Sequence, residues 1–351
     1  MAYLSFPSVC FSGIAACVPK EIEYNSQSEL LSEKERDNII ASTGISEKRV
    51  APDGVCTSDL CFSAAEKLIK ELKWDKSEIQ ALVFVSQTPD YILPATACVL
   101  QDRLGLSSEC LSYDVSLGCS GWVYGLMNIA SLVSTGYIKK ALMLCGDLTT
   151  RTQSYRDKTS YPLFGDAGSC TAIEYDPKAI GFKFHLATDG SGKDAIIIPS
   201  GGYRNPITKE GLEFTDYGEG KVMTDLHARL DGMSVFSFAI TKAPKSIKTL
   251  CKEGNIDIET IDCFTFHQAN LFLNETIRKK LKLPKEKVPY SLEKYANSSS
   301  GTIPVTLVTE RRKKLMETYM RHIGCAFGVG LSWGSVYFET NKIVVPELIE
   351  Y

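Results

Sequence analysis

At 351 residues the chain is long enough to bury a large core and to hold two domains or one duplicated unit. Apolar residues make up 44% and charged residues 23%, the balance of a globular protein, which excludes a disordered chain. The formal net charge of −3 gives no general pull toward nucleic acid, so any anionic partner needs a local basic patch.

Residues 1–20 carry only short apolar pieces interrupted by Ser5, Pro7, Ser8, Ser12 and Gly13, which is not the charged-then-apolar form of a signal peptide. No apolar run reaches the roughly 18 residues needed to span a bilayer. The 12 cysteines are scattered without a Cys-x-x-Cys pair, and there are 4 histidines. This argues against a disulfide framework and a metal cluster, and it suits a reducing compartment. The expectation is a cytoplasmic protein with neither membrane nor nucleic-acid partners.

In chain order, residues 2–17 read as strand and 25–42 as charged helix, leading to Thr43-Gly-Ile-Ser-Glu-Lys-Arg49. Residues 57–72 form an amphipathic helix, with Ala64, Ala65, Leu68 and Ile69 on one side. The continuous apolar run 79–85 suits a strand covered on both faces, and a proline-bounded loop carries it to a helix over 96–104. Strands over 110–115 and 137–145 flank a helix that opens after Cys119. Asp166, between glycines, leads the strand 169–175 and reads as an acceptor of backbone N–H groups that fixes its turn, rather than as a catalytic acid.

A new strand series starts near 180, and 188–219 is loop-rich and uninformative. Asp231 leads toward a lysine-rich helix with Lys242, Lys245 and Lys248 spaced three apart. Residues 259–266 echo 78–86, and 327–338 echo 164–174. In the same order, these echoes predict an α/β fold of two similar halves, 1–177 and 178–351.

Three groups stand where chemistry is feasible. Cys119 lies between a strand and a buried helix, where backbone N–H groups and the helix dipole favour thiolate, although buried cysteines are also common small hydrophobes. His267 follows an apolar strand, the place where α/β proteins present ligand groups, and equally a place for a satisfied core histidine. Asn297 sits in a small-residue loop where a lone Asn is usually a turn residue. Together they form a nucleophile with two polar companions.

Gly118-Cys-Ser-Gly121, His267-Gln-Ala-Asn270, Asn297-Ser-Ser-Ser-Gly-Thr-Ile-Pro304 and Gly328-Val-Gly-Leu-Ser-Trp-Gly334 resemble the motifs of 3-oxoacyl-acyl-carrier-protein synthase III enzymes of the thiolase superfamily. Thr43-Gly-Ile45, Thr88-Pro-Asp-Tyr91, Phe164-Gly-Asp166 and Asp231-Gly-Met-Ser-Val-Phe236 extend the resemblance over nearly the whole chain. It implies duplicated βαβαβαββ halves in five αβαβα layers, a homodimer, and condensation of an acyl primer with malonyl-acyl carrier protein. It also implies acyl transfer to Cys119, an enolate held by His267 Nε2–H and the Asn297 amide, and an oxyanion held by the backbone N–H groups of Cys119 and Val329. No cofactor is implied beyond thioester substrates on CoA or acyl carrier protein.

The departures concern the substrate. Asn38 stands where relatives have a tryptophan that stacks on the CoA adenine, and Lys158 stands where they have an arginine on the ring's other side. Phe272 replaces an arginine associated with carrier docking, so docking falls to Lys242, Lys245, Arg278 and Lys279, which also read as a solvated helix face. Asn270 and Phe327 are further substrate contacts, and Leu93 resembles the residue that crosses the dimer interface to line the acyl pocket. The alternatives are acyl transfer to a small nucleophile without decarboxylation, a synthase using acetoacetyl-CoA, for which no acid/base is evident, and a non-catalytic partner subunit.

Overall fold

The computed structural model describes residues 2–351. Alternation along Ile79–Val85 sets the architecture: Ala81, Val83 and Val85 enter one apolar cluster, whereas Ile79, Leu82 and Phe84 enter another on the opposite face. A strand buried on both sides has no polar face, hence the unbroken apolar run. It lies in a six-stranded sheet ordered Ile349–Glu350, Val9–Val18, Asp166–Tyr175, Lys140–Leu148, Ile79–Val85, Leu111–Val115. A second sheet runs Ala2–Phe6, Phe182–Thr188, Ser332–Asn341, Tyr319–Gly328, Cys263–Phe266.

The helices Gly121–Val133 and Thr302–Glu310 lie between the sheets and touch strands of both. Thr57–Leu72 and Thr96–Arg103 cover the first sheet from outside, and the 23-residue helix Gly232–Gly254 covers the second. This is the αβαβα layering. In each sheet an antiparallel trio is followed by a parallel partner: 9–18, 166–175, 140–148 and 79–85 in the first, and 182–188, 332–341, 319–328 and 263–266 in the second. The terminal strands cross over, Ala2–Phe6 pairing with Phe182–Thr188 and Ile349–Glu350 with Cys17 and Val18.

Local chemistry accounts for most shifts from the expected boundaries. The helix expected over 25–42 is a turn at Asn25–Gln27 and then a helix Glu33–Thr43, opened by a Ser32–Glu35 capping box and closed by Gly44 at φ 72°. The strand expected at 137–145 begins at Lys140 because Gly136 turns the chain at φ 78°. Asp231 does not merely precede its helix: its carboxylate caps the N–H groups of Met233 and Ser234, so the helix starts at Gly232.

Trp122, the largest fully buried side chain, joins the two sheets. Its ring stacks on Phe11 of the first sheet with centroids 6.3 Å apart and meets Phe338 of the second edge-on at 6.0 Å. Trp122→Ala should lower unfolding stability by about 3–5 kcal/mol, and Trp122→Phe should cost less. Urea unfolding of both checks this, and a loss below about 1 kcal/mol for the alanine variant contradicts close packing between the sheets.

Candidate active site

Cys119 follows Leu111–Val115 by a short turn and stands just ahead of the helix Gly121–Val133. It is half-buried, and the Ser299 hydroxyl points at its Sγ from 3.9 Å. Gly328 passes directly beneath it: a Cβ there would overlap the Cys119 side chain and lie 2.7 Å from Sγ, so only glycine lets the strand end approach. The next residue, Val329, directs its backbone N–H at the sulfur.

The sulfur's acidity differs from the sequence expectation. Burial raises the Cys119 thiol above its ordinary value, and the negative charge of Asp147 adds to the rise. Hydrogen bonds from Val329 N–H and Ser299 pull it back without reversing it. The helix start supplies donors, but removal from water wins, so the resting group is a thiol.

His267 ends the strand Cys263–Phe266, anchored through its N–H to Cys325 O at 2.8 Å. Its Nδ1 lies 2.8 Å from Thr302 Oγ1, and its ring meets Phe327 edge-on at 5.6 Å. Burial lowers its pKa to about 4, opposed only by a hydrogen bond to the Ser299 backbone, so the ring is neutral at physiological pH. Nε2 has no hydrogen-bond partner among the described residues, and the ring faces the cavity.

Asn297 is held from three directions. Its N–H donates to Leu163 O at 3.0 Å, its carbonyl accepts from Gly165 N–H at 3.1 Å, and its Oδ1 accepts from Ser299 N–H at 2.9 Å. The last bond fixes the amide orientation and leaves Nδ2 as a pair of unused donors. This gives Phe164-Gly-Asp166 its purpose: Leu163 and Gly165 bracket Asn297, while Asp166 accepts from Ala51 N–H, Thr150 N–H and Thr150 Oγ1 at 2.7–3.0 Å. Asp166 is structural, as the sequence suggested.

Cys119, His267 and Asn297 line one cavity of about 510 Å³, together with Val329, Asn270 and Phe327. Asn270 is also the cap of the helix Leu271–Lys280, its Oδ1 accepting from Leu273 N–H at 2.8 Å. The remaining expected residues lie elsewhere. Asn38 is exposed, and Lys158 is paired with Glu35 at 3.3 Å. Phe272 stacks on Phe236 with centroids 5.4 Å apart, and Leu93 lies on an exposed loop with Tyr91 and Ile92. Lys245 and Lys279 are exposed, and Lys242 sits over the Trp333 ring. Arg278 is a correction: both its guanidinium edges are taken, by Glu275 at 2.8 Å and Leu283 O at 2.6 Å, so it is not a free docking cation.

Sequence reasoning missed two features. The apolar wall of the cavity comes from Ile196, Ile197 and Ile198, in the stretch 188–219 that looked uninformative, and from Leu230 on the strand paired with it. A triple isoleucine inside a glycine-rich loop was the available signal. The second is Asp147, fully buried, which accepts from Ser86 Oγ, Gln87 N–H, Ser300 N–H and Ser300 Oγ at 2.7–3.1 Å. Burial raises its carboxyl while these donors lower it.

A five-layered fold with a thiol, an imidazole and an amide around one cavity defines a thiolase-like condensing enzyme. Two family descriptions match the chain: 3-oxoacyl-[acyl-carrier-protein (ACP)] synthase III over residues 113–190, and the C-terminal part of the same family over 251–340. The beta-ketoacyl-[acyl-carrier-protein] synthase III of Rhodopirellula baltica is 31% identical over 94% of this chain and 98% of its own, and that of Clostridioides difficile is 31% identical over 92% and 95%. The crystal structure of a 3-oxoacyl-(acyl-carrier protein) synthase from Burkholderia xenovorans LB400 superposes with a TM-score of 0.93 at 34% identity, over 100% of this chain and 99% of that one. The chain belongs to the 3-oxoacyl-acyl-carrier-protein synthase III family and is an enzyme of that condensing class.

The raised Cys119 thiol has a direct readout. Its alkylation by iodoacetamide, followed by peptide mass, should rise about tenfold per pH unit from pH 6 to 8. A plateau at mildly acidic pH contradicts the raised thiol and restores the thiolate expected from sequence.

Proposed function

We propose that this enzyme joins an acyl primer, carried first on Cys119, to a malonyl unit on acyl carrier protein, releasing carbon dioxide and a 3-oxoacyl thioester. The observation that carries this reading is the convergence of Cys119 with the unpartnered Nε2 of His267 and the oriented, unused amide of Asn297 on one cavity. Cys119 sulfur attacks the primer thioester, a carbon–sulfur bond forms, and the donor thiol leaves. Loss of carbon dioxide from the malonyl group leaves charge on an enolate oxygen, stabilised by the Asn297 amide and the His267 ring. The carbanion attacks the acyl-Cys119 carbonyl, whose oxyanion faces the N–H groups of Val329 and Cys119, and the sulfur is expelled.

Two features bear on the primer's carrier. Glu35 accepts from Ser32 N–H and Oγ at 2.7 Å, and it also pairs with Lys158 at 3.3 Å. That ion pair ties the helix Glu33–Thr43 to the segment holding Lys158, at the place where the family resemblance puts a CoA ring and where Asn38 offers no stacking face. Lys245, Lys248, Lys252 and Lys280 line a surface groove, and none has a carboxylate within 4.0 Å among the described residues. Both favour delivery on an acidic carrier protein. The exposed apolar loop Tyr91–Leu93 supports a homodimer, because its three large side chains lack cover in a single chain. The matching strand orders of the two sheets support duplicated halves, 1–177 and 178–351, that exchange their terminal strands.

Intact mass after incubation with acyl-CoA, acyl-pantetheine and acyl-carrier protein should show an adduct in the native enzyme and none in Cys119→Ala. The adduct should discharge with carbon dioxide release when malonyl-carrier protein is added. Asn297→Ala should form the adduct yet release carbon dioxide at least about 100-fold more slowly. Discharge without carbon dioxide sinks the condensation reading in favour of simple acyl transfer. Acyl-CoA should acylate Cys119 about as fast as acyl-pantetheine, and an advantage above about tenfold, or 1.4 kcal/mol, means that the nucleotide is gripped after all.

A further inference from the structure

We propose that Thr302 is a positioning residue that holds the single proton of neutral His267 on Nδ1, so that the ring presents a bare Nε2 to the cavity. The inference rests on the reading of His267 just given, and it reverses the Nε2–H form expected from sequence.

The accounting concerns one hydroxyl proton. Thr302 Oγ1 lies 2.9 Å from Ser299 O and 2.8 Å from His267 Nδ1. When the hydroxyl donates to Ser299 O, the oxygen is left to accept, and Nδ1 must supply the proton. Both contacts are then hydrogen bonds. When the hydroxyl donates to Nδ1 instead, its contact with Ser299 O is lost. The hydroxyl has no competing partner, since Thr306 Oγ1 bonds to the Thr302 carbonyl at 2.8 Å rather than to its side chain.

A bare Nε2 is an acceptor first and a donor only after it has gained a proton. The group that must lose one is the Cys119 thiol, which burial keeps protonated. As the carbon–sulfur bond to the primer forms, the thiol proton moves to Nε2, and the departing thiolate takes its own proton from water. The ring, now N–H on both sides, donates at Nε2 to the enolate oxygen made when the malonyl group loses carbon dioxide. Condensation then expels the Cys119 sulfur, which takes the proton back, and the ring returns to neutral. The cycle consumes one proton from water per turnover, the number the overall condensation requires.

The test reads the proton directly. The protein is labelled with 15N-histidine, and the His267 signals are assigned by difference from His267→Ala. At neutral pH the wild-type spectrum should show a pyrrole-type Nδ1 and a pyridine-type Nε2; the reverse pattern overturns the proposal. Thr302→Val should shift the population toward Nε2–H and lower kcat for carbon dioxide release by about tenfold or more, with KM for the malonyl substrate unchanged. Thr302→Ser, which keeps the hydroxyl, should restore both. A Thr302→Val protein that loses activity while keeping the wild-type pattern shows a merely structural residue and also overturns it. The acyl adduct on Cys119 is measured alongside by intact mass: its absence in wild type with every acyl thioester sinks the condensation reading, whereas the nitrogen spectra decide the proton's position independently.

Discussion

The buried carboxylate of Asp147 is the constraint on which the site depends. It stands at the end of Lys140–Leu148 in the first sheet and gathers donors from the loop after Ile79–Val85 and from Ser300 in the second half of the chain. A carboxylate removed from water is costly unless its lone pairs are filled, so the two loops that fill them cannot drift independently. Ser299 adjoins Ser300, and its N–H fixes the Asn297 amide. The orientation of the amide thus traces back to a charge buried in the other half. Leu163 and Gly165 add a second tie between halves through the Asn297 backbone.

The same burial that makes these networks rigid sets the resting protonation of the reactive groups. Desolvation moves the thiol up and the imidazole down, so both are neutral in the empty cavity. A neutral pair avoids holding a charged nucleophile against an apolar wall of isoleucines before a substrate arrives. In the proposed reaction charge develops only when a thioester carbonyl or an enolate is present to be stabilised, and the donors proposed for it, Val329 N–H and Asn297 Nδ2, are already oriented. Without that orientation, reorganising the donors during reaction would consume much of what they contribute.

Much of the fold was legible because its elements have single causes. The helix at 57–72 and the strand at 79–85 are fixed by one-dimensional periodicity, and both fell where the pattern put them. Cys119, His267 and Asn297 were singled out by the resemblance of their motifs to those of a known family, and the structure gathers them on one cavity. What the sequence did not show depends on long-range partners. Nothing near Asp147 announces that Ser300, 153 positions away, will donate to it. Cys119 appeared to be a thiolate site because the helix start is local and visible, whereas the burial that outweighs it involves residues far off in the chain, such as Gly328 and Ser299, packed against it. Arg278 read as a free cation because its partner Glu275, three positions back, also looked like ordinary surface charge.

The floor and the rim of the cavity are built under different physical rules. The groups on the floor are anchored by backbone atoms, by the Thr302 hydroxyl or by a buried carboxylate, with His267 Nε2 and Asn297 Nδ2 left free, so a substitution there leaves an unsatisfied partner in a dry place. Rim residues carry fewer such obligations: Phe272 is 63% exposed and is held only by stacking on Phe236. The Glu35–Lys158 pair is partly exposed and worth little in stability. Asn38, Lys158 and Phe272, the positions that the family resemblance singles out as departures, all lie outside the cavity lining. The buried network therefore fixes the orientation of the cavity's polar groups far more tightly than the fold restrains these outer side chains.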